Sequence, residues 1–105
     1  MRILLDECVP WPMHRLRAGH ECTTAQKRAW GGIKNGDLLK LAEHEFDLFI
    51  TSDQNIRYQQ NLAGRAISIL ELSTNDLRRI CAFATQIQAA VVSAKKGELR
   101  HLDVP

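Results

Sequence analysis

Two short apolar runs in this chain end in carboxylates. Ile3-Leu4-Leu5 stops at Asp6-Glu7, with Pro10 soon after, and Leu48-Phe49-Ile50 stops at Thr51-Ser52-Asp53. A brief continuous apolar run closed by polar residues is the pattern of a strand buried on both faces of a parallel sheet. In open α/β sheets ligands sit in the crevice outside the carboxyl ends of the strands. Two strands that deliver acids to the same end make that crevice a candidate metal site.

The segments between these runs fit the same architecture. Arg2 to Leu5 reads as the first strand, and Val9, Met13 and Leu16 recur on one helical face, with Pro12 in the first turn and Gly19 at the stop. His20 to Ala25, small and polar, reads as a strand near the sheet edge. Gln26 to Asn35 lapses into a loop with two glycines, Trp30 and the basic residues Lys27, Arg28 and Lys34. Asn35-Gly36-Asp37 opens a helix whose apolar face is Leu38, Leu41 and Ala42. Asp47 to Thr51 and Ala66 to Leu72 read as the third and fourth strands. Ser73 to Asp76 offers N-cap residues for a long helix with Leu77, Ile80, Ala84, Ile87, Val91 and Ala94 buried, Lys95 and Lys96 in its last turn, and Gly97 as its stop. The tail, residues 98–105, reads as an edge strand or a loose end. The expected fold is a single α/β domain over residues 1–105, a three-layer α/β/α sandwich around a mostly parallel sheet of four or five strands.

Composition narrows the class of protein. A formal net charge of +2 is too small for a surface that coats polyanions, though it allows a local basic patch. No apolar run approaches the roughly 20 residues of a membrane span, and the N-terminal run is cut by Asp6, so a signal peptide is not expected. Cys8, Cys22 and Cys81 are odd in number and widely spaced, which predicts buried thiols rather than disulfides or a zinc site. Together these predict a cytoplasmic protein.

Asp6, Asp37 and Asp53 are the candidate catalytic and metal-binding residues. Two end strands and one begins a helix, so a parallel sheet puts all three on one side. Converging carboxylates repel unless a cation neutralises them, and an all-oxygen set favours Mg²⁺ or Mn²⁺. Such ions activate water and stabilise a leaving oxygen in phosphodiester cleavage. Glu7 and Asn55 are secondary candidates. Lys27, Arg28, Trp30, Lys34, Arg57 and Tyr58 are candidates for contact with single-stranded nucleic acid, the aromatics by stacking and the cations at phosphates. Each has a plain structural alternative: a cap, an Asx turn, a helix charge or an anchoring aromatic. His14, His20, His44 and His101 show no ligand spacing and are assigned nothing.

These motifs resemble a known group. Leu4-Leu5-Asp6-Glu7 with its following proline, Ala18-Gly19-His20-Glu21, Asn35-Gly36-Asp37-Leu38-Leu39 and Thr51-Ser52-Asp53-Gln54-Asn55 are similar, in order and spacing, to the short bacterial PIN-like proteins. The resemblance runs to about the end of the long helix. It implies an α/β/α sandwich, metal binding by Asp6, Asp37 and Asp53, and a ribonuclease that acts as the toxin of a toxin–antitoxin pair. RNA, a cognate antitoxin protein and a second copy of the chain are the implied partners. PIN-type nucleases usually carry a fourth acid near the last motif, where this chain has the amide Asn55. The rival expectations are a catalytically weak PIN-like module that binds RNA or a protein, and a receiver- or phosphatase-like domain that accepts a phosphoryl group on Asp6.

Overall fold

The computed structural model describes residues 2–6, 21–25, 28, 30, 35–53 and 66–105. The described elements are β1 (Arg2–Leu5), β2 (Glu21–Thr24), α1 (Asn35–Ala42), β3 (Leu48–Thr51), β4 (Ser68–Leu72), α2 (Leu77–Ala82), α3 (Ala84–Val92) and β5 (Leu99–Leu102). They form an α/β fold around one five-stranded sheet in the order β2-β1-β3-β4-β5. Every strand pair is parallel. The tail is therefore an edge strand, and β2 occupies the other edge, as its small polar residues predict.

Alternation of side chains along the strands divides the core in two. On one face Ile3, Leu5, Leu48, Ile50, Leu70 and Leu72 pack against Ile80 of α2 and Ile87, Ala90 and Val91 of α3. On the other, Leu4, Phe49, Ile67 and Ile69 pack against Leu38, Leu39 and Ala42 of α1. Helices thus cover both faces, which explains why β1 and β3 carry apolar side chains on each of them.

Three local expectations are corrected. In α1, Leu39 is buried and Leu41 is 43% exposed, so the apolar face is Leu38, Leu39 and Ala42. A helix of this length supports either phase, and the sheet selects one. The long helix is divided at Phe83, whose N–H reaches both Arg79 O and Ile80 O, and it ends at Val92, leaving Lys95 and Lys96 beyond it. Leu77, at its start, is 39% exposed rather than buried. The N-cap is Asp76, which accepts the N–H groups of Arg78 and Arg79. Gly97, at φ 77°, makes the turn into β5 without the Cβ clash another residue would suffer. Finally, Cys81 is exposed and Cys22 half-buried, both as free thiols; Cys8 lies outside the described residues.

Candidate functional site

The order β2-β1-β3-β4-β5 reverses direction between β1 and β3, because β1 is followed in space by β2 on one side and β3 on the other. Such a reversal opens a crevice at the carboxyl ends of the two strands. Asp6 directly follows β1, and its N–H continues the ladder by bonding Ile50 O at 2.9 Å. Its residue is 8% exposed. A carboxylate so far from water needs hydrogen-bond donors. One is Thr51, fully buried at the end of β3, whose hydroxyl donates to Asp6 Oδ2 at 2.7 Å. The same Oγ1 accepts the N–H of Asp53 at 3.0 Å. One threonine therefore ties the backbone of the second acid to the carboxylate of the first.

The third sequence candidate is placed differently. Asp37 stands exposed in the first turn of α1, where its charge complements the helix dipole. The helix starts at the edge where the strands end, because it must run back to the start of β3. Among the described residues no group of three or more His, Cys, Asp and Glu side chains is close enough to hold a metal ion. Glu7, Lys27, Lys34, Asn55, Arg57 and Tyr58 lie outside the described residues.

Arg28 and Trp30 are brought together. The Arg28 guanidinium stacks over the Trp30 ring, 4.7 Å from its centroid, and pairs with Glu45. Trp30 is half-buried and meets Phe46 edge to face at 6.1 Å, joining the α1-side core. Arg2 lies over the other contact of this group, 5.3 Å from the Phe46 centroid. Phe46 precedes β3 and Arg2 opens β1, so these contacts draw Arg28 toward the strand-entry end, away from Asp6. Arg2, Cys22, Thr23, Arg28 and Phe46 line a cavity of about 220 Å³ there.

The register of the sheet reveals a feature that sequence reasoning missed. Leu5 pairs with Ile50, Thr51 with Glu71, and Glu71 with His101. Paired residues of parallel strands share a level and a face. Leu4, Phe49 and Ile69 belong to the α1-side core, and two residues further along each strand stand Asp6, Thr51 and Glu71. His101 follows at the same level on β5. A polar file, Asp6–Thr51–Glu71–His101, thus crosses four strands one pleat beyond an apolar row. Glu71 is 1% exposed, and its Oε1 lies 2.5 Å from His101 Nδ1. His101 Nε2 lies 2.8 Å from Asp103 Oδ1. The hydrogen bond that the ring donates to Glu71, then that to Asp103, raises the imidazole pKa above its ordinary value. A carboxylate inside the apolar run Ile67-Ser68-Ile69-Leu70-Glu71-Leu72 is the signal in the sequence that points to this position.

No family model, characterised protein or solved structure matches this chain.

Proposed function

We propose that this chain is a PIN-like ribonuclease dependent on Mg²⁺ or Mn²⁺, a three-layer α/β/α domain acting in the cytoplasm as the toxin of a toxin–antitoxin pair. The observation that carries the reading is the buried Asp6 carboxylate and the Asp53 backbone bound to one Thr51 hydroxyl at the reversal of strand order. The donors on offer are carboxylate and hydroxyl oxygens, which suit a hard divalent cation; Mg²⁺ commonly takes one or two carboxylates and keeps water and substrate phosphate as its other ligands. Asp6 and Asp53 would hold the ion, and Asp37, which closes no three-acid cluster with them, would orient a water. When bound, the ion supplies an activated water and charge stabilisation for phosphodiester hydrolysis. Thr51 keeps the Asp6 oxygens in a fixed orientation, so that their rotation is not lost again on binding. Lys34 and Arg57 contact phosphates, and an antitoxin covers the crevice until it is released.

The strand order favours a second reading. The doubly wound order 2-1-3-4-5 is also that of receiver domains, in which a strand-end aspartate accepts a phosphoryl group. One experiment separates the readings. Purified protein with Mn²⁺ and single-stranded RNA is expected to cleave, EDTA to abolish cleavage, and Asp6→Asn to remove it. Cleavage retained by Asp6→Asn sinks the metal-site assignment. Binding without cleavage identifies a binding module, and a stable acyl phosphate on Asp6 identifies the receiver-like domain.

A further inference from the structure

The polar file continues past the acids that the proposed chemistry uses. Glu71 is almost wholly buried, and its contact with Nδ1 fixes the rotation of the His101 ring. The other nitrogen is thereby aimed away from the sheet, where it meets Asp103. Against two ionised carboxylates both contacts are hydrogen bonds when each ring nitrogen carries a proton, so the pair favours the imidazolium. The two carboxylates are not equivalent. Glu71 is enclosed by the sheet, whereas the Asp103 side chain is 89% exposed on the short tail beyond β5. An exposed ion pair of this kind is weakly held. Asp103 occupies the position from which any anionic oxygen would accept the Nε2 proton.

We propose that His101, oriented by Glu71, binds a phosphate of single-stranded RNA in exchange for the carboxylate of Asp103. The ligand's identity rests on the ribonuclease reading; the exchange itself rests on the geometry of the file. One anion replaces another at the same N–H, and the displaced Asp103 carboxylate, 89% exposed, turns out into water. Three strand spacings of about 4.8 Å separate the β1 and β5 positions of the file, roughly 14 Å in all. His101 therefore engages a phosphate away from the bond being cut and is a positioning residue. Glu71 from β4 and Asp103 from the tail are the charged groups, among the described residues, that shift this imidazole. Arg100, its neighbour on β5, bonds Ser93 beside α3 instead.

The test is the affinity of EDTA-stripped full-length protein for a short single-stranded RNA with a 2′-O-methyl backbone, which resists cleavage. Anisotropy titrations would run between about pH 5.5 and 8.5, the range in which histidine changes charge. Wild-type affinity is expected to fall as pH rises through the His101 pKa. His101→Gln is expected to bind about tenfold more weakly at the acidic end, the loss of one charge-assisted hydrogen bond, and to lack that pH limb. Asp103→Asn removes the competing anion and is expected to bind up to about fivefold more tightly. This second variant changes only an exposed side chain, so it reports even where His101→Gln fails to fold. The proposal is overturned by a wild-type protein that binds no RNA at acidic pH, by an unchanged pH limb in His101→Gln, or by Asp103→Asn that binds no more tightly. Asp6→Asn is expected to keep the limb. A limb without any Mn²⁺-dependent cleavage discards the ribonuclease reading and keeps this one; cleavage without a limb does the reverse.

Discussion

Thr51→Val tests the proposition that one hydroxyl organises the carboxyl edge. Valine keeps the branched shape of threonine and exchanges only the hydroxyl for a methyl. The side chain is fully buried, so water cannot replace the lost partner. The bond to the Asp6 carboxylate is worth about 1.5–3 kcal/mol and the bond from the Asp53 N–H about 0.5–1.5 kcal/mol. The added methyl returns about 0.8 kcal/mol of apolar burial. Asp6 and Asp53 have further partners that survive the change, which puts the expected loss near the middle of the range, about 2 kcal/mol. Against a typical total of about 5–15 kcal/mol that is a large fraction. With a urea slope of about 1–3 kcal/mol/M, the unfolding midpoint is expected to fall by about 1 M. Thr51→Ser is the control, because it keeps the hydroxyl and forfeits one methyl, for about 1 kcal/mol. Urea titrations followed by far-UV circular dichroism measure all three proteins. A valine variant within about 0.5 kcal/mol of wild type, the range of a neutral surface change, would refute the reasoning. So would a serine variant less stable than the valine one.

Asp76→Ala is expected to cost about 1 kcal/mol by removing the acceptor for Arg78 and Arg79 N–H at the start of α2, read as a lower thermal midpoint. Phe49→Ala, at the centre of the α1-side core, is expected to cost about 3–5 kcal/mol and to leave a large unfolded fraction by circular dichroism. The raised pKa of His101 sets the sign of a stability–pH dependence. The contribution is complete below the unfolded pKa and is lost as pH rises through the folded one, so urea midpoints are expected to fall across that window in wild type and to flatten in His101→Gln.

The central strands were legible because burial on both faces leaves little choice of residue. Leu4 and Phe49 announce β1 and β3 without any knowledge of their partners, and Asp6 and Asp53 announce where those strands end. Helix phase was less legible: Leu39 and Leu41 are equally apolar, and only the opposing sheet decides which is covered. The division at Phe83 is invisible to periodicity, since the apolar spacing runs straight through it. Arg28 and Trp30 were legible as a pair, but their direction was not. Glu45 and Phe46, which hold them, come from a distant part of the chain. The file through Glu71 and His101 was hidden for a related reason. It exists only through register, and register joins residues 45, 20 and 30 positions apart by contacts that no local pattern encodes.

The same register explains why the members of the file differ in exposure. Leu5, Ile50 and Leu70 share one level, yet β1 stops there, β3 runs one residue further to Thr51, and β4 runs on to Leu72, paired with Leu102. The carboxyl edge is therefore a stair that rises from β1 toward β5. Asp6 leaves the sheet on the lowest step and stands beside the opening at the strand reversal. Glu71, at the level of Thr51, is still inside the ladder, flanked by Leu70 and Leu72, and its carboxylate is closed off from solvent. It is thus unsuited to meet an ion or substrate directly. Its route to the surface is His101, which is bonded to it on one side and is about a third exposed on the other. A carboxylate buried at that point contributes to binding only by setting the charge and orientation of the imidazole. Replacing Glu71 by Gln is therefore expected to act through the titration of His101, lowering its pKa, while leaving Asp6 and Thr51 in place; a His101 titration unmoved by Glu71→Gln, followed by NMR, would contradict this arrangement.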